Sequence, residues 1–136
     1  MRVAVVGGGA VGLTVAGDLA ARGVAVTLYE RGELGSGATG RAAGICYDAF
    51  ADPVDAAVAT RALDRYRGWG LLERCPYVWV ARGESDADAV REQVTEMQAL
   101  GLAVEELTPD ALADRYPAVA TDGLAAGAIA HSAGTV

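Results

Sequence analysis

The sequence contains no lysine, and arginine supplies all 11 of the positive charges that stand against 18 carboxylates. A surface made for nucleic acid neutralises phosphates with Lys and Arg. Here the first 50 residues carry four arginines and four acids, so the whole net charge of −7 lies in the remainder. The acidic tail excludes a nucleic-acid partner, while the neutral head can host an anion. Arginine without lysine, beside abundant alanine, marks a GC-rich coding sequence rather than a salt-adapted surface. Cysteine is scarce: Cys46 and Cys75 have neither the spacing of metal ligands nor the density of a disulfide framework, so they read as two reduced thiols in a cytoplasmic protein. His131 is the only histidine, too little for a metal cluster or an assembled Ser-His-Asp set, and is expected to be solvated or incidental. There is no charged and apolar leader with a cleavage site, and no apolar run of 18 residues. No membrane span is expected, and oligomeric state is not legible.

What is present is glycine, and it is unevenly placed. Four of the 18 glycines fall in the first 12 residues, MRVAVVGGGAVG. Before them, Arg2 to Val6 is a short β-branched run of the kind buried on both faces of a parallel sheet. After them, Val11, Val15 and Leu19 with Ala16 and Ala20 recur at helical spacing to Arg22, and Gly23 stands where a helix-ending glycine belongs. Val24 to Tyr29 is a second strand. Strand, glycine turn, helix and strand make a βαβ unit with a right-handed crossover.

The chain then runs through RGELGSGATGRAAG, with five glycines in 14 residues, either a loop with a role or a mobile linker. Asp52-Pro53 starts a helix through about Glu73, with Val54, Val58, Ala62, Tyr66 and Trp69 on one stripe. Tyr77 to Val80 is a strand, and Ser85 is expected to cap a helix over 86–100 with Val90, Val94 and Met97 buried. Thr108-Pro109-Asp110 opens a short helix closed by Pro117. Val104 to Leu107 and Gly123 to Ala130 are further strands. Tyr66, Trp69, Tyr77 and Trp79 read as core or interface aromatics, and the Glu105-Glu106 and Asp86-Asp88 acids as solvated or helix-terminal charges. The chain stops at HSAGTV with no capping element, which reads as a truncated frame.

The glycine pattern is Gly7-x-Gly9-x-x-Gly12, and each position has a physical role. Gly7 permits the tight turn, Gly9 lets the backbone approach a pyrophosphate, and Gly12 lets the helix pack close to the strand. Free N–H groups and the positive end of the helix dipole complete an anion site. Glu30 ends the second strand 18 residues after Gly12, where a carboxylate accepts the hydroxyl hydrogens of an adenosine ribose and repels a 2′-phosphate. These features predict dinucleotide binding and disfavour NADP. They leave FAD and NAD open, since both carry the same ADP half.

The stretch GGGAVGLTVAGDLAARGVAVTLYERGELGSGATGRAAGI resembles the N-terminus of the FAD-dependent D-amino-acid oxidase family, in its glycine oxidase and sarcosine oxidase branch. The Glu30-Arg31 pair, the Ser/Gly/Thr-rich loop and Ala43-Gly44-Ile45 carry the likeness. The remainder matches by the order of its elements. The resemblance implies FAD as cofactor, with Ala10 and Val11 supplying backbone near the pyrophosphate, and Glu30 and Arg31 at the adenosine end. It places Ala38 and Thr39 at the phosphates or ribityl chain, and Ala43, Gly44 and Ile45 beside the flavin ring. Arg41 either helps to neutralise the pyrophosphate or faces water. The implied fold class is α/β: a Rossmann-like FAD-binding βαβ unit, then the first strands and helices of a substrate-domain sheet, divided as residues 1–75 and 76–136. The implied activity is hydride transfer from the C–N bond of an amino acid or secondary amine to flavin. A hydroxy-acid or glycerol-phosphate dehydrogenase of the same superfamily, an NAD-binding module and an inactive fragment are the alternatives. The family's substrate-binding arginine and flavin-facing residues belong to a later part of its sequence.

Overall fold

The computed structural model describes all 136 residues, which gather into two compact units, Met1–Ala43 and Gly44–Val136.

In the first unit, β1 (Arg2–Val6) and β2 (Ala25–Tyr29) lie parallel with Val6 opposite Tyr29, joined by α1 (Ala10–Ala21). Alternation along the strands sets Val3 and Val5 on the half-buried side, and Val5 lies against α1 beneath Gly12. The opposite face is bare: Val6 is 85% and Tyr29 58% exposed. Burial on both faces, expected from the apolar run, is therefore not found, because a parallel pair needs a layer on each side and this unit supplies one helix. On α1, Ala16 and Leu19 are half-buried while Val11 and Val15 are exposed. Gly23 ends the helix as expected, with its N–H donating to the Ala20 carbonyl at 2.9 Å.

The second unit holds β3 (Ile45–Cys46), α2 (Pro53–Gly68), β4 (Glu73–Arg74), β5 (Tyr77–Ala81), α3 (Glu84–Ala99), β6 (Val104–Leu107), α4 (Pro109–Arg115), β7 (Ala126–Ala130) and β8 (Gly134–Thr135). Its main sheet is antiparallel in the order β5-β7-β6. The central strand, AGAIA, is buried along its whole length. Alternation splits its residues between two helices. Ala126, Ala128 and Ala130 pack with Ala87, Val90, Val94 and Met97 of α3, and Ile129 packs with Leu112 of α4 and with Leu107 at the end of β6. Small side chains on one face let α3 approach the strand closely, and the paired faces give a dry core on both sides of the sheet. A second small sheet has the order β3-β8-β4, and its two-residue strands are too short to leave a periodic signal in the sequence.

Two boundaries differ from expectation. The α2 helix begins as predicted, with the Asp52 carboxylate accepting from Val54 N and Asp55 N, but ends at Gly68. The face it buries carries Ala56 and Leu63, while Val54 (68%) and Val58 (65%) stay exposed. Two apolar stripes share this helix, and its neighbours cover the one that carries Ala56 and Leu63. Ser85 does not cap α3; Gly83 takes that position with no side-chain bond. No helix is long and apolar enough to cross a membrane.

Candidate functional site

The site in the first unit is built from backbone. Gly7 has φ +104°, a conformation that side-chain-bearing residues rarely adopt, and its N–H donates to the Tyr29 carbonyl at 2.8 Å. That turn drives the chain from β1 into α1. A Cβ on Gly12 would run into the Gly7 carbonyl oxygen, so only glycine permits this approach of helix and turn. The helix starts at Gly9 with no side-chain cap and no acid in its first turn. The N–H of Ala10 is taken by Thr39 Oγ1 at 3.0 Å. Those of Val11 and Gly12 have no partner further back in the helix. They leave a patch of positive potential with nothing of the unit's own to satisfy it.

The Glu30 carboxylate closes the turn from the other side. Its Oε2 accepts from Gly8 N at 2.6 Å and its Oε1 from Gly32 N at 2.9 Å. The Gly8 amide, then that of Gly32, holds its carboxyl below the ordinary glutamate value, so it is an anion at neutral pH. Each oxygen keeps a second lone-pair direction for a further donor. The sequence placed Glu30 for a ribose; the structure adds that the same side chain braces the glycine turn.

The residues singled out from the sequence fall around two adjoining cavities. One, of about 410 Å³, is lined by Gly7, Gly9, Ala10, Val11, Gly12 and Thr39, with Val5, Val6 and Val15. The other, of about 380 Å³, is lined by Gly9, Glu30, Arg31, Ala38, Thr39 and Arg41. Gly9 and Thr39 belong to both, and a Cβ on Gly9 would stand 3.0 Å from Thr39 Oγ1. Ala43 lines neither cavity. Gly44 and Ile45 belong to the second unit, where Gly44 accepts from Val136 N at 3.0 Å and Ile45 lies on β3, half exposed.

Sequence reasoning missed Gly32, Gly35, Ser36 and Gly37, which line the second cavity. It also missed Gly8, the one fully buried residue of the unit. The loop folds back on itself: Gly35 N donates to the Gly8 carbonyl at 2.8 Å and Gly40 N to the Gly35 carbonyl at 2.6 Å. A short 3-10 turn at Thr39–Arg41 then delivers Thr39 to the helix start. The signal was the density of glycine in RGELGSGATGR; a flexible linker would not tie its backbone to the turn at Gly8 and to itself at Gly35.

In the second unit, His131 is not simply solvated. Its Nε2 lies 3.0 Å from Glu105 Oε2, and Glu105 takes a two-pronged contact from Arg115 at 2.9 and 3.3 Å. The Arg115 hydrogen bonds, then the His131 contact, hold the Glu105 carboxyl low. Glu106 likewise pairs with Arg91 at 3.1 Å.

Set beside known proteins, residues 2–136 match the family model described as DAO, FAD dependent oxidoreductase. The chain is similar to the glycine oxidase of Geobacillus kaustophilus, with 30% identity over 90% of this chain and 36% of that protein. It is also similar to the anaerobic glycerol-3-phosphate dehydrogenase subunit A1 of Haloferax volcanii, 32% identical over 88% of this chain and 22% of that one. Among solved structures, the glycine oxidase of G. kaustophilus superposes with a TM-score of 0.87 at 26% identity, covering 99% of this chain and 40% of that one. The L-proline dehydrogenase from P. horikoshii gives a TM-score of 0.92 at 22% identity, covering 99% and 37%. The chain thus spans well under half the length of each of these relatives.

Proposed function

The chain belongs to the DAO family of FAD-dependent oxidoreductases, and from that membership we propose that it is the FAD-binding N-terminal portion of an enzyme that oxidises the C–N bond of an amino acid or secondary amine. FAD is the cofactor of this family. The residues present fit it. The cradle that a Cβ on Gly12 would close, the unpartnered amides of Val11 and Gly12 and the spare lone pairs of Glu30 are what a pyrophosphate and an adenosine ribose require.

In this reading the turn at Gly7–Gly12 holds the pyrophosphate and Glu30 accepts the ribose hydroxyls. Arg31 and Arg41, lining the same cavity as Glu30, lower the cost of bringing phosphate charge there. When bound, FAD supplies the two-electron chemistry, and the chain's part is to bind and orient it. We assign residues 76–136 to the beginning of the substrate domain. A small-molecule amine or amino acid is the proposed substrate, and the cytoplasm the proposed compartment, which two unpaired thiols suit.

The observation that carries the reading is the double amide clamp on Glu30, which fixes a carboxylate beside the bare helix start. Titrating the chain with FAD, NAD and ADP while following flavin fluorescence and thermal stability tests it. Saturable binding of FAD supports the reading, and no response to any of the three overturns it. The glycerol-3-phosphate relative supports a second reading, oxidation of a hydroxyl-bearing substrate. The enzyme containing this chain separates the two. Turnover of glycine, sarcosine or proline supports C–N oxidation, and turnover of glycerol 3-phosphate alone replaces it.

A further inference from the structure

We propose that the second unit carries a separate site for a small organic anion bearing a carboxylate or phosphate group, in a concavity where Arg67, Arg74, His131 and Ser132 converge. The cavity measures about 410 Å³ and lies wholly within Gly44–Val136. Leu72 and Ala103 give it an apolar floor, and no carboxylate lines it. That is the reverse of its surroundings, since this unit carries 15 acids against seven arginines. Two of those arginines and the chain's only histidine share one concavity from which every acid is excluded.

The basic groups are also held in place. Arg67, in the last turn of α2, donates from Nη2 to the Ser132 carbonyl at 2.8 Å and from Nη1 to Asp64 at 2.9 Å. These bonds fix the plane of the guanidinium and leave its other N–H groups for a ligand. Asp64 is itself two-thirds exposed, so solvent weakens that pair. Arg74 is fixed by backbone instead, opposite Gly134 in the β4-β8 ladder, and its guanidinium meets no carboxylate. His131 is anchored by its backbone N–H on the Ala103 carbonyl at 2.9 Å and by its ring on Glu105, whose charge Arg115 already matches. Asp48, the one buried acid, accepts from the Ser132 and Thr60 hydroxyls and does not line the cavity.

Arginine forks suit the planar oxygen pairs of carboxylates and the oxygens of phosphates. The apolar floor and the volume leave room for an organic group behind the charge. The site shares no residue with the cavities of the first unit, and stands whether or not a dinucleotide binds there.

Calorimetric titration of the chain with inorganic phosphate and with oxalate, in a buffer of low ionic strength and with glycerol as an uncharged control, tests the proposal. We expect saturable binding of at least one anion and none of glycerol. Phosphate alone assigns a phosphate ester, oxalate alone a carboxylate, and both the shared chemistry. Arg74→Gln removes an unpaired charge from an exposed strand and weakens binding by about tenfold or more, with circular dichroism unchanged. Arg74→Lys, which keeps the charge without the fork, falls between. Gly12→Ala, in the first unit, leaves this binding as it was. Failure of both anions to saturate, an Arg74→Gln variant that binds as well as the parent, or loss of binding in Gly12→Ala overturns the proposal.

Discussion

Met1–Ala43 buries no hydrophobic side chain fully, whereas Gly44–Val136 buries fifteen. The first unit holds its shape through backbone: the Gly7 turn, the loop returning bonds to Gly8 and Gly35, and a carboxylate that ties Gly8 to Gly32. The second unit is held by apolar packing on both faces of β7. The difference follows from use. A surface that must present bare amides to a ligand cannot cover them with side chains, so its geometry is enforced by glycines and hydrogen bonds. A sheet that carries no such duty is free to fill its faces.

The largest expected effect tests the packed unit. Leu112 is fully buried beside Leu107 and Ile129, and Leu112→Ala is expected to cost about 2–5 kcal/mol through lost transfer energy and a residual cavity. Val6→Ala in the first unit, where the side chain is 85% exposed, is expected to stay within about 0.5 kcal/mol. Urea unfolding followed by tryptophan emission reads the first, since Trp69 and Trp79 both belong to the second unit; amide exchange reads the other. Equal costs would break the contrast.

Next in size is Gly12→Ala. Its new Cβ meets a backbone oxygen, which cannot rotate away, so helix and turn must part. FAD affinity is expected to fall by about tenfold or more, or at least 1.4 kcal/mol, in a fluorescence titration. The tryptophan unfolding midpoint should not move. A variant that binds FAD normally would show that the close approach serves packing alone.

Glu30 gives a smaller effect with a defined sign. Its folded pKa lies below the ordinary value of 4.5, because the Gly8 and Gly32 amides bind the charged form. Its contribution to stability is therefore fully present above that value and is lost as pH falls through the lowered folded pKa. Protection of the Gly8 and Gly32 amides, taken relative to their intrinsic exchange rate, should fall over that acid window and not at neutral pH. In Glu30→Gln that pH dependence of the protection should vanish, with lower protection throughout. A clamp that loosens near neutrality instead would contradict the assignment of cause.

The two units were also unequally legible. In the first, residues that no other type can replace left a direct record: Gly7, Gly12 and Glu30 each stand where the structure needs them. The loop was read for its glycines, but its path was not, since backbone bonds such as Gly35 N to the Gly8 carbonyl leave no mark of residue type. In the second unit the buried face of α3 followed from periodicity, with Val90, Val94 and Met97 all inside. The face of α2 did not, because the choice between its two stripes rests on which neighbour is there to cover them. The pairings β3-β8 and β4-β8 join strands of two residues and were invisible.

The smallest effect concerns two helix starts that look alike in sequence. Thr108 precedes Pro109 and its hydroxyl accepts from Ala111 N at 3.2 Å, so Thr108→Ala is expected to cost about 1 kcal/mol. Ser85 precedes acids in the same manner, yet it lies inside the first turn of α3, and Gly83 holds the cap position. Ser85→Ala is expected to stay within about 0.5 kcal/mol, a hydroxyl there satisfying none of the orphan amides. Both are read by the same urea transition, and both sit in the unit whose stability comes from packing. If Ser85→Ala proved as costly as Thr108→Ala, α3 would start two residues later than its backbone indicates, and the sequence signal would have been right.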